Sequence, residues 1–167
     1  MSTPRIDYER LAITQFEELA VARGLKPFTR FRADNRLDLP GGQHFQFGDL
    51  RVTNGKRHVI VEVESAGGVT NLVKYWHILR EVRPDERIVL IHVFRQTSDG
   101  DYGSHLQLWD FLVARMRADV GNRFDAERYT YRAPETTDTS FAAACATFAH
   151  RLNQEFRVCV TAEQKTQ

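Results

Sequence analysis

The chain has 167 residues and the composition of an ordinary soluble globular protein, enough for one domain with a core of its own. A net charge of +1 excludes any argument for nucleic acid from overall charge alone. No apolar run is long enough to span a bilayer, and the opening MSTPRIDYER lacks a signal-peptide core, so the expectation is a cytoplasmic protein without a membrane partner.

Residues 7–23 read as a helix, with Ala12, Phe16, Leu19 and Ala20 on one stripe, Ile13 beside them, and Gly24 at the C′ position. Residues 28–32 form a short strand candidate. Residues 38–43 are a turn region punctuated by Pro40-Gly41-Gly42. Two strands near 45–53 and 57–64 then flank Asn54-Gly55, a strong signal for a two-residue hairpin. With that turn, Thr53 faces Lys56, Leu50 pairs with Val59, and Asp49 pairs with Ile60.

Ser65-Ala66-Gly67-Gly68 breaks the strand, and a helix is expected over 70–82. Leu72, Val73, Tyr75, Trp76, Ile78, Leu79 and Val82 make its broad apolar face; Thr70, Lys74, His77 and Glu81 make the polar one. Residues 87–94 are nearly all apolar and read as a strand buried on both faces, parallel to 57–64 through a right-handed crossover. The loop 96–104 lacks the glutamate a calcium loop needs. A helix over 105–120, a strand at 128–131, a linker at 134–139 and a last helix to about 156, capped by Thr139 or Ser140, complete the pattern. A short strand at 156–160 and a polar tail follow. Cys145, in an alanine-rich run, reads as a buried thiol, and neither it nor Cys159 has the spacing of a paired ligand.

The fold class is therefore α/β: one domain with a mixed central sheet flanked by helices, a core over about 7–95 and a C-terminal elaboration over about 103–160. Strand alternation puts Leu50, Val52, Val59, Val61 and Val63 on one face of the hairpin. Asp49, Glu62 and Glu64 lie on the other, with Arg51 and His58. His58, near the turn, reads as a surface histidine. Three clustered carboxylates repel one another unless something positive sits between them, and a divalent cation is the usual solution. Arg51 is the competing, metal-free source of positive charge. Arginine is also dense at positions 30, 32 and 36, which reads as a solvated surface.

The αβββαβ order, with Asp49 on one hairpin strand and Glu62-Val63-Glu64 ending the next, resembles the PD-(D/E)XK, or restriction-endonuclease-like, nuclease superfamily in a variant ExE form. The resemblance covers about residues 7–95. It implies a magnesium-dependent nuclease acting on nucleic acid, DNA in the first instance. Mg2+ or Mn2+ would be held by Asp49, Glu62 and the carbonyl of Val63. Two departures stand out: Gly48 in place of a proline, and Glu64 where the motif lysine is usual. Lys74 is the candidate for a relocated lysine, against its plain place on the polar helix face. Asn71 and Tyr75 match a polar and an aromatic residue often found in that helix. Glu17 or, facing more nearly away from Phe16 and Ala20, Glu18 would be the acid of the first helix. Nucleases of this size often act as dimers, so a homodimer is an implied arrangement. The alternative is a catalytically inactive nuclease fold that binds nucleic acid or a protein partner. A weaker third option is a protein-interaction domain with an exposed apolar patch around 141–148.

Overall fold

A five-stranded mixed sheet separates two hydrophobic cores. The computed structural model describes residues 7–64, 68–96, 103–134 and 137–156. In chain order the elements are α1 (Tyr8–Val21), β1 (Phe28–Thr29), β2 (Arg36–Asp38), β3 (His44–Gln46), β4 (Leu50–Thr53), β5 (Arg57–Glu64), α2 (Thr70–His77), β6 (Arg87–Arg95), α3 (Gly103–Val120), β7 (Phe124–Tyr131) and α4 (Thr139–Phe156). The main sheet runs β1-β4-β5-β6-β7, and β2 and β3 form a separate hairpin. β1, β4 and β5 are antiparallel neighbours, while β5, β6 and β7 are parallel, as expected where a helix bridges successive strands. The expected strand at 128–131 is thus the end of a longer strand that extends the parallel half.

One core packs α1 and α4 on Leu50, Val52, Val59, Val61 and Val63. The other packs α2 and α3 on Ile60, Ile88, Leu90 and Phe94. Phe141 and Phe148 meet Phe16 edge-on at 5.5 and 5.3 Å, so the aromatic residues of this stretch of α4 are interior and do not form the exposed apolar patch of the third option. Cys145 beside it is half-buried, and burial pushes its thiol up to about 11. Asp138, not Thr139 or Ser140, caps α4: its Oδ1 accepts the N–H groups of Ser140 and Phe141, each at 3.0 Å. The helix expected over 70–82 ends in a wider turn at Ile78–Val82, closed by the Arg83 N–H donating to the Ile78 carbonyl at 2.7 Å. Val73 of its expected apolar face is exposed. Ser65-Ala66-Gly67, most of the 96–104 loop, and residues 157–160 of the expected last strand with Cys159 lie outside the described residues, while Phe156 ends α4. Among the described residues, no helix is long and apolar enough to cross a membrane.

The hairpin register differs from the expected one. Leu50 pairs with Val61, Val52 with Val59 and Thr53 with His58. The Asn54 N–H donates to the Arg57 carbonyl at 3.3 Å, so the turn centres on Gly55 and Lys56, with Gly55 at φ +99°. Asn54 instead takes the Arg57 N–H on its side-chain oxygen at 3.0 Å, a role its short polar side chain favours next to a turn. The displacement is two residues, which preserves strand parity; every side chain keeps its expected face.

The expected strand over 45–53 is broken at Gly48, where φ is +86°. Before the break the chain pairs within the small hairpin; after it the chain joins β5. A Cβ at Gly48 would overlap Ile60 Cγ2 and lie 3.3 Å from the Tyr75 hydroxyl. Gly48→Ala combines an unfavourable left-handed backbone with overpacking, and the expected loss is about 2–4 kcal/mol, measured by urea unfolding. A variant as stable as the parent would show that the break at this position tolerates a side chain.

Candidate functional site

The β4–β5 pairing ends at Leu50 and Val61, and Asp49, one residue before it, lies near enough to Glu62 to feel its charge. The Asp49 backbone is held on both sides: its N–H donates to the Val61 carbonyl at 3.1 Å, and its carbonyl accepts the Arg30 N–H at 2.8 Å. Its side chain spans the gap at the strand end. Oδ2 accepts the Val63 N–H at 2.7 Å; Oδ1 accepts from Arg30 Nη1 at 3.2 Å and Gln46 Nε2 at 3.5 Å. The N–H and C=O of one strand residue face the same neighbour, so the Val63 carbonyl is also directed toward Asp49.

Helix α2 supplies the other wall. Asn71, Lys74 and Tyr75 are spaced by three and four residues, which puts them on one helix face above the end of β5. Lys74 Nζ donates to Glu62 Oε1 at 2.9 Å and to Asn71 Oδ1 at 3.3 Å, and the Tyr75 hydroxyl donates to the same glutamate oxygen. Asn71 Nδ2 donates to Glu64 Oε1 at 2.5 Å. Glu62, Lys74, Asn71 and Glu64 thus form one polar chain. Gly68 closes it, since a Cβ there would overlap the Glu64 carboxylate. Asp49 and Glu62 are buried, whereas Glu64 is half-buried and open to solvent.

His92 of β6 stands beside Glu64. Its Nδ1 accepts from Trp109 Nε1 at 3.1 Å, and an indole N–H can only donate. In the neutral ring the proton therefore sits on Nε2, 3.8 Å from Glu64 Oε1, too far for a hydrogen bond. This fully buried nitrogen makes no hydrogen bond among the described residues.

Asp49 carries the electrostatic signature of the cluster. Burial, then the negative charge of Glu62, raise its carboxyl to about 7, with a further push from Glu64, against the opposing Val63 N–H and Arg30. Burial and then Glu62 also push the Tyr75 phenol well above its usual range, keeping it a donor. Among the described residues, no three His, Cys, Asp or Glu side chains converge as a metal-holding group. The residues present nevertheless fit a hard divalent cation: two neighbouring buried carboxylates, one raised to about 7 by burial and then by the charge of the other, with a backbone carbonyl on the same side of β5.

The structure brings Asp49, Glu62, Val63, Glu64, Asn71 and Lys74 together. Arg51 does not join them. Its guanidinium lies between the rings of Phe28 and Phe47, 4.9 and 4.8 Å from their centroids, and donates to Asn35 Oδ1 at 3.1 Å. The cation beside Asp49 is instead Arg30, which also donates to Glu9 at 3.0 Å. Glu9 is thus the α1 acid nearest the site. Glu18 is exposed, and Glu17 lies 3.9 Å from Arg32. His58 is not a surface residue: it is buried, with Nε2 2.8 Å from Glu86, and burial holds its pKa down against the pull of that acid. Glu9 and Arg30 carried no periodic signal. His92 did, as the one polar residue inside the apolar run 88–94. No family model matches the chain, and no curated protein matches it.

A carboxyl raised from 3.8 to about 7 binds more protons folded than unfolded, so its contribution to stability is full below about pH 4 and is lost as pH rises through about 7. Asp49→Asn removes that titration. In metal-free urea unfolding, the parent is expected to lose on the order of 2 kcal/mol relative to Asp49→Asn between pH 5 and pH 8. Parallel pH profiles for the two proteins would contradict the assigned shift.

Proposed function

We propose that this protein is a cytoplasmic, metal-dependent nuclease that hydrolyses phosphodiester bonds of nucleic acid, with DNA as its first expected substrate. The observation that supports this most is the meeting of Asp49, Glu62 and Glu64 with Lys74 at the end of β5, where burial and then the charge of Glu62 raise Asp49 to about 7. Asp49, Glu62 and the Val63 carbonyl would hold Mg2+ or Mn2+, which when bound supplies Lewis-acid polarisation of the scissile phosphate and acidifies a water. The remaining work falls to the chain. Glu64, open to solvent and oriented by Asn71, accepts the proton of the attacking water. Lys74 has three N–H donors and spends two on Glu62 and Asn71; the third is available to a phosphate oxygen as charge builds there. Tyr75 fixes the Glu62 carboxylate from beneath. Arg30 holds Asp49 in place through Oδ1 and anchors it to α1 through Glu9.

A second reading draws on the same contacts. Lys74 already neutralises Glu62, so the domain could bind nucleic acid or a protein partner without cutting it. Cleavage assays on DNA and RNA, with Mg2+, Mn2+ or EDTA, separate the two. The expected result is metal-dependent cleavage that falls at least about 100-fold in Asp49→Ala, Glu62→Ala and Lys74→Ala, with circular dichroism showing each variant folded. Calorimetry should show Mg2+ or Mn2+ binding to the parent and not to Asp49→Ala. Absence of both cleavage and cation binding would overturn the nuclease reading; cation binding without cleavage would favour the second.

A further inference from the structure

Next to the carboxylates lies a concavity of about 410 Å³. Arg30, Phe31, Arg32, Arg36, His44 and Gln46 line most of it, and no carboxylate is among its lining residues. It adjoins the acid site through two shared side chains, since Arg30 and Gln46 both reach Asp49 Oδ1. Arg36 and His44 come from the β2–β3 hairpin, the piece that lies outside the main sheet. Arg32 is half exposed with only a loose 3.9 Å contact to Glu17, and Arg36 is exposed, so both guanidinium groups can meet an incoming anion.

Phe31 makes this basic wall selective. It is 55% exposed, unusual for a phenylalanine, and the guanidinium groups of Arg10 and Arg30 lie 5.4 and 5.3 Å from its ring centroid. An exposed ring among cations suits a stacked base with flanking phosphates. Inside a duplex each base face is covered by its neighbours, so only an unpaired base can offer its face to Phe31.

We propose that this concavity receives single-stranded nucleic acid, with Phe31 stacking on one unpaired base and Arg32 and Arg36 holding the phosphates beside it, so that the backbone is led to Asp49, Glu62 and Glu64. The delivery step rests on the nuclease reading; the binding step does not. Binding is therefore measured in EDTA, where nothing is cut, by fluorescence anisotropy with labelled oligothymidylate, oligouridylate and a DNA duplex, each of roughly 15 units, the site size of a single-strand groove. At least one single strand is expected to bind more tightly than the duplex, and the two strands tell DNA from RNA. Phe31→Ala should weaken that binding by about 10-fold, while Phe31→Trp retains it. Arg32→Ala and Arg36→Ala should each lower the slope of log affinity against log salt by about 0.7. A 2-aminopurine base in the strand should lose fluorescence on binding the parent but not Phe31→Ala. Equal or tighter duplex binding, unchanged affinity in Phe31→Ala, or no binding of either strand would overturn the proposal. Binding as expected but without cleavage in Mg2+ would leave it standing and count against the nuclease reading alone.

Discussion

Asp49 and Glu62 lie near each other at the end of the β4–β5 ladder, both out of water, and two interacting buried carboxylates cannot both carry full charge without compensation. Much of the surrounding architecture supplies it. Arg30 approaches Asp49 from the end of β1 and ties it to Glu9 at the start of α1. Lys74 and Tyr75 approach Glu62 from α2. The helices on opposite faces of the sheet thus each send a hydrogen-bonding arm to the same pair. Burial, and the charge of Glu62 that these arms leave uncompensated, appear as the raised Asp49 pKa.

The two ends of the parallel strands are treated differently. At the amino-terminal end of β5 and β6, Arg57 and Arg87 both pair with Glu155 of α4, at 3.3 and 3.1 Å, and His58 is locked to Glu86. Both acids there are paired, so that end is a fastening between strands and helix. At the carboxyl end Asp49, Glu62 and Glu64 gather with Arg30 and Lys74 among the described residues. In open α/β sheets that is the end where ligands bind, because the helices that follow the strands leave a crevice there. Beside it, Arg30 and Arg32 after β1 and Arg36 of the β2–β3 hairpin line a basic concavity.

Gly48 links the two regions. Its left-handed backbone ends the small hairpin and turns Asp49 into the main sheet, and its missing side chain leaves room for Ile60 and the Tyr75 hydroxyl. A proline, fixed near φ −65°, could not adopt this conformation. The glycine before Asp49 is therefore tied to how this chain enters β4.

The sequence by itself determined the α/β class, the parallel strand after the first hairpin, and which face each hairpin side chain takes. These depend on local periodicity, and parity survived a turn displaced by one residue because the register then moved by two. It also brought Asp49, Glu62 and Glu64 to one face, since alternation is a property of the strand alone. Tertiary structure decided what surrounds them. Whether Arg51 or Arg30 compensates Asp49 depended on the path between β1 and β4, and Arg51 was drawn away by the rings of Phe28 and Phe47. Lys74 could equally have been a solvated helix residue; the seating of α2 on β5 turned it inward. His92 stood out as the one polar residue in the apolar run 88–94, but its partner Trp109 was fixed only by the seating of α3. Contacts of this kind join residues far apart in the chain, and no periodicity encodes which partner a charge will find.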